Sequence, residues 1–201
     1  MKHYTLIFIF LLMSIGYANS QQKGINVIYG DHHLFTVETP TNWINDRQAA
    51  STIGLTNFFY CIDDKSKLVK SYMFANGIDK GNSLDSLNAF VDGDIEAFKE
   101  KYPNAKISKF EIGHTPPIIG AIALSYTNLH DRFKEEVVYL ETEMTFIVLT
   151  FSADNENDYQ KYSNVFDSEF IGTFQFLGND PTPFLEWQKN NQNENTRPNK
   201  P

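Results

Sequence analysis

The sequence predicts an α+β domain in which an antiparallel β-sheet meander is covered by helices. Three observations carry this. Four apolar, β-prone runs follow one another between Lys106 and Ser152 with short links, which suits antiparallel pairing. A stripe of Leu84, Leu87, Val91, Ile95, Phe98 and Tyr102, spaced by three and four, marks one face of a helix. A second aromatic stripe of Tyr159, Tyr162, Phe166 and Phe170 marks another. Each helical stripe needs a sheet face to bury it.

The elements follow in order. Phe35 to Thr39 alternates apolar and polar residues, the period of a half-buried strand, and Pro40 and Asn42 stop it. Leu55 to Ile62 reads as a second strand and Lys70 to Gly77 as a third, with "DDKSK" as the turn between them. Ser83 is the expected N-cap of the first helix, which Pro103 closes. The meander then runs through Lys106–Ile112, Gly120–Asn128, Phe133–Leu140 and Phe146–Ser152, with "VVYL" and "FIVLTF" the most β-prone stretches. A helix opening near Asp154 or Asn155 leads to a short strand in "GTFQFL". One last turn in "PTPFLEWQK" is expected to lay Trp187 back on the body. From residue 188 to 201 the polar, Asn-rich chain predicts disorder.

Before the domain, residues 1–20 combine Lys2, an apolar run from Leu6 to Met13 and the small-residue triplet Ala18-Asn19-Ser20, the pattern of a cleaved secretory signal. The run is far short of the ~20 residues that span a bilayer. Residues 21–34 then read as a lead-in, 35–187 as a single domain and 188–201 as a tail. Without Lys2 the formal charge is −9, from 16 basic and 25 acidic residues. Such a balance argues against nucleic acid, whose phosphates demand basic residues, and against anionic lipid headgroups. Cys61 is the only cysteine, so no intramolecular disulfide forms, and its apolar surroundings predict a buried free thiol.

Several of these features in this order resemble the PsbP-like family, named for an extrinsic subunit of photosystem II. They are the opening strand running into "TPTNW", the long helix after the early strands, the four-strand meander and "FIVLTFSADNENDYQKYSNVFDSEFIGTFQF" at the end. The resemblance spans Phe35 to Leu177 and contains no catalytic motif. It implies an α/β/α sandwich and a role in binding other proteins, as for members that act at photosystem II or on a nuclear transport GTPase. The acidic balance and the secretory signal depart from both of those cases, so the fold carries over and neither named role does. The resemblance also implies that Pro40 and Trp43 form a structural corner where the chain leaves its first strand. Independently, a tryptophan buries a large apolar area and serves as a packing anchor.

Chemistry-bearing stretches are few. In "GDHHLF", adjacent His32 and His33 point to opposite faces of a strand and cannot share one metal, which suits an exposed polar start to the first strand. His114 or His130 could add a ligand only through the fold. "VDGDIE" fails as a calcium loop, because aligning Gly93 with the loop glycine places Phe90 at a ligand position. "NLHDRF" sets His130, Asp131 and Arg132 at a polar hairpin tip without a nucleophile motif beside them, which makes them the candidate partner contact. No catalytic, cofactor or metal residues are assigned. The expectation is a secreted or periplasmic, non-enzymatic binding domain for another envelope or extracellular protein, with no membrane span in the mature chain. The alternative is a small-molecule carrier or enzyme with an aromatic-lined pocket between sheet and helix.

Overall fold

The computed structural model describes residues 24–64, 69, 71–80, 86–112 and 118–195. The signal at 1–20, His114 and the expected cap Ser83 lie outside them. The element order is β1 (Ile25–Tyr29), β2 (Leu34–Glu38), β3 (Trp43–Asn45), α1 (Arg47–Thr52), β4 (Phe59–Cys61), β5 (Tyr72–Asp79) and α2 (Leu87–Lys101). It continues with β6 (Lys106–Phe110), β7 (Gly120–Thr127), β8 (Lys134–Glu141), β9 (Thr145–Ala153), α3 (Glu156–Val165), β10 (Gln175–Gly178) and α4 (Thr182–Asn195). A π-helical turn, Phe166–Phe170, prolongs α3.

The strands form two antiparallel sheets where the sequence suggested one. Seven strands lie in the order β3-β4-β5-β9-β8-β7-β6, and three in the order β1-β2-β10. The corner after β2 explains the division. Pro40 ends the ladder, and its carbonyl accepts from the Trp43 amide at 3.0 Å. Between them Asn42 turns left-handed at φ 65°, a conformation Asn tolerates. The chain therefore changes sheets there, and Trp43 enters the core 3% exposed, its ring edge-on to Tyr162 of α3 at 5.2 Å.

Period-two alternation divides the large sheet's side chains between two cores. On one face Leu87 and Val91 of α2 meet Leu124, Tyr126, Val137, Tyr139 and Phe146. On the other, α3 and the small sheet bury Phe35, Val37, Trp43, Phe59, Met73, Leu149, Phe151, Phe166 and Phe170. Cys61 belongs to this second core as a free thiol. The sandwich is thus α2, the seven-stranded sheet, then α3 beside the three-stranded sheet.

Local chemistry moves several expected boundaries. The side chain of Ser86 accepts from the Ala89 amide, so α2 starts at Leu87. Asp46 caps a short helix, α1, in a stretch for which no element was expected, and β4 shrinks to three residues. Residues 25–29, read as lead-in, pair with β2 from Ile25↔Glu38 to Tyr29↔Leu34. Residues up to 195 are helical where disorder was expected from 188. Asp180 starts α4 by accepting from the Thr182 amide at 2.9 Å, and Pro183 is tolerated in a first turn. Trp187 is not laid back on the body. It is 62% exposed and stacks on Phe184, whose ring instead meets Tyr29 at 5.8 Å.

Candidate functional site

The hairpin tip that carries His130, Asp131 and Arg132 is built around the arginine. Its Nη1 donates to Tyr72 Oη at 2.6 Å, Glu135 Oε2 at 2.6 Å and Ser152 Oγ at 2.9 Å. Its Nε donates to Asp131 Oδ1 at 3.1 Å, and Tyr102 Oη donates to both Asp131 oxygens at 2.9 Å. These bonds tie β5, β8, β9 and the end of α2 together. Burial pushes the Glu135 carboxyl up, against the pull of the Arg132 guanidinium. His130 and Asp131 are exposed and Arg132 is not, and the His130 ring lies against Tyr102 at 4.9 Å.

Other polar groups are also engaged inside the fold. His33 is 4% exposed, contrary to the exposed start expected for "GDHHLF", whereas His32 stays in solvent. The reason is local space and one acceptor. Gly30 and Gly77 lack the Cβ atoms that would each sit 2.3 Å from the His33 ring, and His33 Nδ1 lies 2.8 Å from Asp79 Oδ1. Thr145 Oγ1 donates to that same oxygen at 3.0 Å. Across the sheet, Tyr139 donates to Asp94 and lies 3.1 Å from the Tyr126 hydroxyl. Between the sheet and α2 the aromatics pack on one another, with Phe90 and Phe146 stacked at 4.7 Å and Phe98 and Tyr126 at 4.1 Å.

A different arrangement exists at the edge of the small sheet. A half-open cleft of about 290 Å³ runs along Asn26 to Tyr29, with Asn45, Arg47, Thr56 and Asn57 opposite. Its floor is a satisfied amide network. Asn45 Nδ2 donates to Asn26 Oδ1 at 2.8 Å, Asn26 Nδ2 donates to the Val37 carbonyl, and Asn57 bonds both backbone groups of Ala75. The rim residue Arg47 is exposed, and among the described residues nothing accepts from its guanidinium. It opens α1, where a cation gains nothing from the helix dipole.

Beside this cleft lies the most apolar surface of the described residues. Of seven large apolar side chains that stand exposed, Ile25, Tyr29, Leu177, Leu185 and Trp187 all belong to β1, β10 and α4. Tyr29, Phe184 and Trp187 form a continuous row of rings. Sequence reasoning missed β1 and Arg47. The β-branched run "INVIY" signals the strand, but no residue type signals that an arginine lacks a partner.

Among the described residues no three His, Cys, Asp or Glu side chains converge as a metal site, and no helix is long and apolar enough to cross a membrane. No family model matches the chain, and no curated protein matches it. The solution structure of cyanobacterial PsbP (CyanoP) from Synechocystis sp. PCC 6803 is similar to it, with a TM-score of 0.51 at 10% identity over 80% of this chain and 97% of that one. The fold is therefore PsbP-like.

Proposed function

We propose that this protein is a secreted or periplasmic, non-enzymatic binding domain that docks another envelope or extracellular protein through the end formed by β1, β10 and α4. The observation that carries this is the concentration of exposed apolar side chains there, including Trp187 at 62% and Leu177 at 54%. Exposed apolar surface of this kind marks interaction sites, and here Tyr29, Phe184 and Trp187 form a continuous row. The PsbP-like fold and the signal-like first twenty residues support the reading. The Arg132 Nη1, by contrast, is engaged by Tyr72, Glu135 and Ser152 within the fold.

The test is photo-crosslinking in the cells that produce the protein, with a benzophenone side chain at position 187 or, for comparison, at 130. A discrete crosslinked polypeptide from position 187 and none from 130 is the expected result. No crosslinked polypeptide from position 187 removes this surface from consideration.

A further inference from the structure

Among the described residues, β1 has an open edge. The Thr39 amide donates to the Gly24 carbonyl and the Gly30 amide to the His33 carbonyl, both at 3.0 Å. These bonds bracket the strand and fix its phase. In an antiparallel pair, every second residue turns both peptide groups toward the partner, so residues 26 and 28 also face β2. The peptide groups of Ile25, Val27 and Tyr29 therefore face away from β2, and β1 ends its sheet. Among the described residues nothing hydrogen-bonds them.

An unpaired edge is normally blunted by lysine, proline or a bulge. This one carries none of these in "INVIY", and its register with β2 is regular throughout. Arg47 stands across the cleft, its guanidinium unpaired among the described residues, in a chain with 25 acidic and only 17 basic residues. The cleft lies at the lower bound of the ~300–1,000 Å³ typical of small-molecule pockets, and it is half open. One of its sides is the strand itself, Asn26 to Tyr29.

From this juxtaposition we infer that β1 accepts an extended segment of a partner protein by strand addition, with an acidic side chain of that segment paired to Arg47. This deepens the proposed function and rests on it. The free N–H and C=O groups of residues 25, 27 and 29 supply the ladder, and alternate side chains supply selectivity. Those on the inner face drop toward Arg47, Thr56 and the amide floor. Those on the outer face extend the row of Ile25, Val27 and Tyr29. A guanidinium suits a carboxylate better than an ammonium would, because it can donate two parallel bonds.

Two variants separate the edge from the fold. Val27→Pro removes one outward N–H without touching the bonds to β2, a position where an edge strand accepts proline. Arg47→Ala removes the cation. The probe is a phage-displayed library of random nine-residue segments held between linkers, selected on the chain from residue 21 onward. Binders should carry Asp or Glu among alternating β-branched or aromatic residues. They should lose at least tenfold in affinity on Arg47→Ala, and more on Val27→Pro, while both variants keep the wild-type circular dichroism spectrum. No enrichment overturns the inference, and so do binders with no acidic residue or binders indifferent to Val27→Pro. Crosslinking from position 187 distinguishes the two levels. If the crosslink persists unchanged in Val27→Pro, strand addition fails and the apolar docking surface stands. If the wild-type protein gives no crosslink, both fail.

Discussion

Arg132 and Arg47 occupy opposite conditions in one small acidic domain. Arg132 is half-buried and bonds Asp131, Glu135, Tyr72 and Ser152, so its charge is consumed in holding three strands and a helix end together. Arg47 is exposed, its guanidinium bonds nothing among the described residues, and it lines a cleft beside the open edge of β1. The first serves stability, and the second is the one we propose for recognition. Charge type and loop position, the features visible in a sequence, do not separate them. Only the presence of partners does.

The comparison predicts very different costs for the same substitution. Arg132→Met leaves the Glu135 carboxylate buried without its cation, and breaking such a pair costs about 3–5 kcal/mol. Arg47→Met removes no internal bond and should change stability by less than about 0.5 kcal/mol. Urea unfolding of both variants measures the difference. Adding Glu135→Leu to Arg132→Met should recover much of the loss, because the orphaned charge then disappears. Equal, small losses at both arginines would dissolve the contrast.

The joint between the two sheets gives the next largest effect. The His33 ring fills the space left by Gly30 and Gly77, and a Cβ at position 77 would sit 2.3 Å from its Nε2. The ring cannot simply swing away, because Nδ1 is held by Asp79. Gly77→Ala should therefore cost about 1–3 kcal/mol, as overpacking does. In a His33→Ala background the same change should cost far less, since contacting residues are not additive. A full penalty in both backgrounds would show that the glycine serves its strand and not the histidine.

Two aspartates extend the contrast to pH. Burial alone would raise the Asp79 pKa, but bonds from His33, Thr145 and the His32 amide outweigh it and hold the carboxyl below its ordinary value. A lowered folded pKa stabilises above the unfolded value, about pH 4, and that contribution is lost as pH falls through the folded pKa. Asp94 behaves oppositely. Burial raises its carboxyl despite the bond from Tyr139, so the folded state holds the proton longer. Its contribution is full below about pH 4 and fades as pH rises through the folded value. Across roughly pH 3 to 6, Asp79→Asn should flatten an acid loss of stability, and Asp94→Asn should flatten a loss toward neutrality. Parallel pH profiles for the two variants would contradict the assignment.

Much of the fold was legible because periodicity follows from burial. The stripes from Leu87 to Phe98 and from Tyr159 to Phe170 and the β-branched runs of β8 and β9 have one sensible reading each, and both helices of the sandwich follow from the stripes. The corner at Pro40 and Trp43 was legible as punctuation, since proline, Asn and a lone indole leave few alternatives. What stayed hidden depends on groups far apart in the chain. His33 looks like a surface residue until Gly77 and Asp79 arrive from β5, and α1 depends on one side-chain cap from Asp46. Likewise β1 looks like a lead-in until β2 pairs with it, and its open edge is invisible until the sheet order is known.

The smallest expected effect concerns helix caps, where the same distinction between engaged and lightly held groups recurs. Ser86 caps α2 with one exposed contact, to the Ala89 amide at 3.2 Å. Asn155 caps α3 through a small network. Its Oδ1 accepts from the Asp158 amide at 3.0 Å, its Nδ2 donates to Asp158 Oδ2 at 3.0 Å, and Ser71 Oγ donates to that oxygen as well. Cap removal costs about 0.5–2 kcal/mol, with the spread set by what else the cap supports. Asn155→Ala should fall near the upper end and Ser86→Ala near the lower, read as midpoint shifts in urea at unchanged m-value. If Ser71→Ala in addition to Asn155→Ala costs as much as it does alone, the network is not cooperative and the two caps are equivalent in kind.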